Sequence, residues 1–168
     1  MIRKVLKMNK QEVYQFLKDN NIQYEVTEHP AVYNMEEMDN LHLPYPYSAK
    51  NLFVRDDKKA NYYLITVKEE KRVNLKEFRK QNGTRNLSFA SENDLIDILR
   101  LTPGSVTPFG LLNDKEQKVK FYIDEDLLSG DGMIGIHPNE NTATVWLKTE
   151  DLIKILKENG NEINIVKI

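Results

Sequence analysis

Apolar positions along the chain alternate between the helical and the strand rhythm. Asn9 precedes a segment in which Val13, Phe16 and Leu17 fall at i, i+3, i+4, so residues 10–18 are predicted as a capped helix that Asp19-Asn20-Asn21 ends. Residues 22–26 then alternate apolar and polar as a half-buried strand does, closed by Glu28-His29-Pro30. Residues 34–40 suit a short helix, whereas Leu43-Pro44-Tyr45-Pro46-Tyr47 is too rich in proline for either regular element. Strands are predicted at 49–55 and 61–67, joined as a hairpin by Asp56-Asp57-Lys58-Lys59. Asn74 caps a helix through Gln81, stopped by Asn82-Gly83. A short strand over 87–90 follows, and Ser91 with Asp94 resembles a capping box opening a helix that carries Leu95, Ile96, Ile98 and Leu99.

Two Pro and two Gly within residues 101–110 predict an ordered loop with no regular element. Strands are expected at 118–124, 133–138 and 141–147, a helix over 151–158 capped by Thr149, and a final strand over 163–166. No internal repeat or linker interrupts this alternation. The expected fold is therefore α/β (α+β), a single domain built around a mixed sheet.

The length of 168 residues is ample for one core, and 40% hydrophobic with 30% charged residues marks a folded domain instead of a disordered chain. The absence of cysteine excludes disulfides, thiolate catalysis and Cys-ligated metals, and is compatible with a reducing compartment. No apolar run approaches the roughly 18 to 20 residues that cross a bilayer, and residues 1–8 lack the apolar core of a signal peptide, so a cytoplasmic location is expected. The net charge of −2 conceals two basic segments, residues 1–18 and 68–85, each with a net of +4. Local patches of this kind suffice for a few phosphate contacts, although on charge alone solvated helix faces with loop and strand charges beside them are the stronger reading.

His29, His42 and His137 are isolated from one another in sequence, and no HExxH, calcium loop, GxGxxG, phosphate-binding GxxxxGK[ST] or GxSxG occurs. Three short polar features remain: Ser48-Ala49-Lys50-Asn51 at the head of a strand, the Gly104-to-Pro108 loop, and Gly135-Ile136-His137-Pro138 followed by Asn141-Thr142-Ala143-Thr144. Singly, each reads as a surface lysine, a connection and a locally bonded histidine.

In combination they resemble a known family. Tyr24-Glu25-Val26-Thr27-Glu28-His29-Pro30, Ala49-Lys50-Asn51-Leu52-Phe53, Gly104-Ser105-Val106-Thr107-Pro108 and His137-Pro138-Asn139-Glu140-Asn141-Thr142-Ala143-Thr144 are similar, in order, to the motifs of the YbaK/prolyl-tRNA-editing superfamily, most closely its free-standing PrdX or ProXp-ala branch. The resemblance spans residues 8–168 and leaves 1–7 as an N-terminal extension, where Arg3, Lys4 and Lys7 would be an accessory tRNA contact or an ordinary start. It implies a barrel-like mixed sheet flanked by helices, and an aminoacyl-tRNA deacylase that removes alanine from mischarged tRNA(Pro). It implies catalytic roles for Lys50, Gly104, Pro108 and His137, and substrate contacts from Asn51, Ser105, Val106, Thr107, His29 and Asn141. No cofactor or metal is expected. The implied partner is the tRNA(Pro) 3′ end, with prolyl-tRNA synthetase or an elongation factor as further partners, and neither membrane nor DNA.

On that resemblance the aminoacyl ester would lie between Lys50 and the Gly104–Pro108 loop, whose backbone N–H groups position it. Lys50 would bind the 3′-terminal phosphate or the developing oxyanion, and His137 would shape the amino-acid pocket. Three alternatives stay open at this point: a Cys-tRNA(Pro) deacylase of the YbaK type, a non-catalytic module that binds aminoacyl-tRNA or a synthetase, and a regulatory domain for a small molecule.

Overall fold

The computed structural model describes residues 8–168; the extension at residues 1–7 lies outside them. Helix α1 (Lys10–Asp19) begins in a reciprocal capping box, in which the Asn9 side chain accepts from the Glu12 amide and the Glu12 carboxylate accepts from the Asn9 amide. It buries Val13 and Leu17 completely. Asn21, at φ 57°, ends it in the left-handed region, and the Ile22 amide reaches back to the Leu17 carbonyl at 2.9 Å. That return bond consumes Ile22, so strand β1 spans Tyr24–Glu28 in place of the expected 22–26.

After helix α2 (Met35–Asn40), strands β2 (Ala49–Asp56) and β3 (Tyr62–Lys68) form the expected antiparallel hairpin. Helix α3 (Leu75–Asn82) starts at the Asn74 cap and stops at Gly83 in the left-handed region. Strand β4 (Leu87–Phe89) leads through the Ser91–Asp94 capping box into α4 (Glu92–Asp94). The expected continuation of that helix is instead a π-helical turn, Leu95–Leu99, which buries Leu95, Ile98 and Leu99. Strands β5 (Val119–Asp124), β6 (Met133–Ile136) and β7 (Ala143–Lys148), helix α5 (Thr149–Glu158) and strand β8 (Ile163–Val166) complete the chain.

The strands form two sheets, an antiparallel β1-β7-β6 and a mixed β4-β2-β3-β5-β8 in which β3-β5 and β5-β8 run parallel. Among the described residues a single parallel bridge, Ser48 to Gly135, joins them, with the Gly135 amide donating to the Tyr47 carbonyl at 2.8 Å. The result is the barrel-like mixed sheet that the sequence motifs implied. Inside it lie Phe53, Leu64, Phe121 and Ile123 of the larger sheet against Ile134, Ile136, Val145 and Leu147 of the smaller, closed by α1 and by Leu152 and Leu156 of α5. Each such side chain contributes about 1.5–3 kcal/mol by leaving water. A second, smaller core forms on the outer face of the larger sheet, where Phe78 of α3 meets Val54, Ile65, Val67 and Tyr122.

Two further local expectations are corrected, and one element is added to them. The proline-containing segment after residue 101 is not wholly irregular: Thr107 caps a 3-10 helix over Pro108–Asn113, because proline at a first helical position sacrifices no hydrogen bond. Another 3-10 turn, Glu125–Leu128, went unanticipated. Thr149 is not a cap but the first residue of α5, and its hydroxyl donates to the Leu127 carbonyl at 2.7 Å.

Gly135 is the tightest position at the sheet junction, since a methyl group there would fall within the Trp146 ring. Gly135→Ala is expected to lower stability by about 1–3 kcal/mol through overpacking, read as a lower urea midpoint. An unchanged midpoint would show that the junction yields freely.

Candidate functional site

The site begins as a break in strand pairing. The odd-numbered residues of β2 direct their main-chain groups away from β3: Tyr47 accepts from Gly135 of β6 at one end, and Phe53 accepts from Ala90 beyond β4 at 3.0 Å at the other. Asn51 falls between those neighbours, and among the described residues its outward N–H and C=O meet no strand. On its side-chain face the Asn51 Oδ1 accepts from the Thr66 hydroxyl at 2.6 Å, leaving the amide nitrogen as a donor. A cleft of 270 Å3 opens there, bounded by Asn51, Phe53, Phe89, Pro103, Gly104 and Val106 among others.

The loop that borders this cleft is held by its own turns. Gly104 has φ +88°, a conformation that favours glycine, and a Cβ there would lie 3.3 Å from both the Asn141 Nδ2 and the Tyr33 ring. The Ser105 amide donates to Thr102 at 3.0 Å, and the Thr107 hydroxyl donates to the His137 carbonyl at 2.7 Å, tying the loop to the end of β6. Pro108 then starts the 3-10 helix. Among the described residues the amide N–H groups of Gly104, Val106 and Thr107 have no hydrogen-bond acceptor. These are donors in a fixed loop, the arrangement that stabilises negative charge on a carbonyl oxygen.

Behind the loop stand two histidines that leave β1 and β6 side by side, their rings 6.0 Å apart and edge to face. His29 Nδ1 lies 2.9 Å from the Pro30 carbonyl and its Nε2 lies 2.9 Å from the Thr144 hydroxyl. His137 Nδ1 lies 2.9 Å from the Ala143 carbonyl. A carbonyl only accepts, so Nδ1 carries the proton in both rings. Burial holds the His137 pKa below its ordinary value, outweighing the Ala143 hydrogen bond, and His29 adds to the depression. His137 is thus a neutral imidazole whose Nε2 lone pair has no protein partner among the described residues. Asn141 packs beside Gly104 with its Nδ2 donating to the Val32 carbonyl, and its buried Oδ1 has no partner among the described residues.

The structure therefore brings together Gly104, Ser105, Val106, Thr107, Pro108, His29, His137 and Asn141, with the main chain of Asn51 at the same cleft. It does not bring the Lys50 ammonium to the loop. Lys50 lies two residues past the Ser48 bridge, alternates to the face of Leu52 and Val54, and donates to the Lys71 carbonyl. Lys71 itself is clamped by Asp124, at 2.5 Å, and Asp126. In the same basic segment Arg85 is paired with Asp57 at 2.6 Å, Lys80 lies 3.8 Å from Glu77, and Arg79 donates to Asn86. Arg72 and Lys76 remain as exposed cations without an ion pair among the described residues.

Sequence reasoning missed Tyr33, Phe89 and Thr144. Thr144 was within reach through the alternation of β7, but nothing in the sequence sets the two aromatics beside Gly104. Among the described residues there is no group of three or more His, Asp or Glu side chains suited to a metal ion, and no helix long and apolar enough to cross a membrane.

Comparison with known proteins places these features in context. The family model described as the aminoacyl-tRNA editing domain matches residues 29–155. The chain is 41% identical over 160 residues, 95% of its length and 97% of the relative's, to the prolyl-tRNA editing protein ProX of Acetoanaerobium sticklandii. It is 39% identical over 146 residues to the prolyl-tRNA synthetase associated domain-containing protein 1 of Mus musculus, covering 84% and 85% of the two chains. A crystal structure described as a candidate trans-editing enzyme for prolyl tRNA synthetase superposes with a TM-score of 0.69 at 20% identity, covering 97% of this chain and 99% of that one; at that identity the likeness shows the fold.

The depressed His137 pKa carries a sign that can be checked. As pH falls through about 6.5 the unfolded chain takes up a proton at this histidine before the folded chain does, so stability falls with falling pH until the folded-state value is passed. His137→Gln is expected to flatten that part of the profile, measured as urea midpoints at about pH 7.5 and about pH 5.5. Parallel profiles for the two proteins would show that His137 titrates as an ordinary exposed histidine.

Proposed function

The chain belongs to the aminoacyl-tRNA editing domain family, and from that premise we propose that it is a trans-editing hydrolase, deacylating mischarged tRNA(Pro) with alanine as the preferred aminoacyl group. The observation that carries this reading is the fixed Gly104–Pro108 loop, with its free amides set against neutral His137. The names of the 41% relative, a prolyl-tRNA editing protein, and of the mouse relative, a synthetase-associated protein, support the choice of tRNA. A proline pocket in a synthetase excludes the smaller alanine poorly, since a missing methylene or two is worth only about 1–3 kcal/mol, and a second sieve answers that limit.

In this mechanism the ester carbonyl accepts from the Val106 and Thr107 amides, which hold the oxyanion as water attacks. The vicinal ribose hydroxyl orients that water. The C–O bond to the ribose breaks, the ribose oxygen takes a proton, and free amino acid and tRNA leave. His137, locked by Ala143, and Asn141 bound the amino-acid end, where the His137 lone pair and the Asn141 Oδ1 accept from the substrate's ammonium. Lys50 exchanges the Lys71 carbonyl for the terminal phosphate when tRNA is bound. Arg72 and Lys76 supply phosphate contacts to the tRNA body, and prolyl-tRNA synthetase or an elongation factor shares the tRNA in a cytoplasmic setting.

Incubation of wild type and Lys50→Ala with Ala-tRNA(Pro), Cys-tRNA(Pro) and Pro-tRNA(Pro) tests the reading. Wild type is expected to release alanine selectively, and Lys50→Ala to lose about tenfold or more in kcat/KM. Release of cysteine alone would move the specificity to the YbaK type. Binding of tRNA without release of any amino acid would replace the deacylase by a binding module.

A further inference from the structure

Phe89 is 63% exposed and lines the Asn51 cleft together with Gly104, and Tyr33, 73% exposed, lies against that glycine. A lone exposed apolar ring needs no explanation, but Phe89 lines a cleft beside unpaired main chain, and the two together form a surface with an apolar and a polar half. The main chain of Asn51 adds the polar half. In extended backbone the N–H and C=O of one residue project side by side toward the same edge, and at Asn51 that edge faces the cleft between the bridge to β6 and the start of β4. One donor and one acceptor, adjacent and nearly parallel, flanked by an aromatic ring, match the edge of a single nucleobase that offers an acceptor next to an amino donor. Adenine has that pattern, with a ring nitrogen beside the N6 amine, and so does cytosine with N3 beside its N4 amine, whereas uracil presents no amino donor; the deacylase reading selects adenine, the base of the esterified ribose.

We infer that the break in β2 pairing at Asn51 is an adenine-reading subsite: the Asn51 N–H donates to a ring nitrogen of the unpaired 3′-terminal adenine, the Asn51 C=O accepts from its N6 amine, and Phe89 stacks on its face. Unpaired RNA bases are commonly recognised in this way, by stacking on an aromatic ring with hydrogen bonds to one edge. The inference rests on the deacylase reading and deepens it, because it names the part of the substrate that fixes the ester against the Gly104 loop.

The test separates this inference from the reading it rests on. Isotope-labelled wild type, Phe89→Ala and Phe89→Tyr are titrated with the trinucleotide CCA, with the same trinucleotide ending in purine riboside, which lacks the N6 amine, and with CCU. Amide shifts and affinities are read by NMR. Phe89 lies largely in solvent, so its replacement leaves both cores intact. Wild type is expected to bind CCA about tenfold more tightly than either variant trinucleotide, with the Asn51 amide among the largest shifts. Phe89→Ala is expected to bind CCA about tenfold less tightly, and Phe89→Tyr to restore it. Equal affinity for the three trinucleotides, an unmoved Asn51 amide, or indifference to Phe89→Ala would each overturn the inference. CCA selectivity without hydrolysis of any aminoacyl-tRNA would uphold the subsite and overturn the deacylase; hydrolysis without CCA selectivity would do the reverse.

Discussion

Everything that positions this site depends on how one edge of β2 is shared. A strand edge carries N–H and C=O groups that need partners, and β2 finds them in two different sheets: β6 through the Ser48–Gly135 bridge and β4 from Phe53 onward. The bridge needs a residue without a side chain, because Trp146 occupies the space a Cβ would take at Gly135. The two partners do not meet, and the interval between them exposes the Asn51 main chain. A barrel closed continuously around β2 would have no cleft there, and the Gly104 loop would lie on a finished wall.

The chemistry of the site is arranged with main chain more than with charge. His29 and His137 are oriented by carbonyl oxygens, not by carboxylates, which fixes their tautomers. Burial keeps His137 neutral. Charge is concentrated elsewhere, in the Lys71 clamp on the outer side of the larger sheet, where Asp124 is fully buried and depends on Lys71 for compensation. The separation suits a substrate that brings its own charges, an ammonium at one end and phosphates at the other.

Much of the fold was legible because local chemistry and tertiary packing agree. Asn9, Asn74 and Ser91 are caps in sequence and in structure, and the β2–β3 hairpin follows its alternation. Disagreements arose where a distant contact overruled local preference, as when Thr149 bonds to Leu127 in place of its own helix, or Ile22 bonds back to Leu17. At the site, sequence motifs marked Gly104, Thr107 and His137, but what joins them is a hydroxyl-to-carbonyl bond across 30 residues that no spacing announces. Lys50 shows the converse: a residue singled out by motif whose side chain follows the alternation of its strand to the far face. Tyr33 and Phe89 carry no motif at all, and only the fold sets them around Gly104.

The smaller sheet also governs when the molecule can be completed. Its middle strand, β7, pairs with β1 from near the other end of the chain, and the Trp146 indole donates to the Thr27 hydroxyl across 119 residues. The parallel pairing of β3 with β5 likewise spans a long connection. Ordering so long a loop costs entropy before any contact repays it, so topologies of this kind fold slowly relative to helical bundles of equal length. During synthesis the β2–β3 hairpin and the Gly104 loop emerge before β6 and β7, so the cleft acquires its shape only after the C-terminal third is made. An unfinished chain therefore presents the loop without His137, Asn141 or Thr144 behind it.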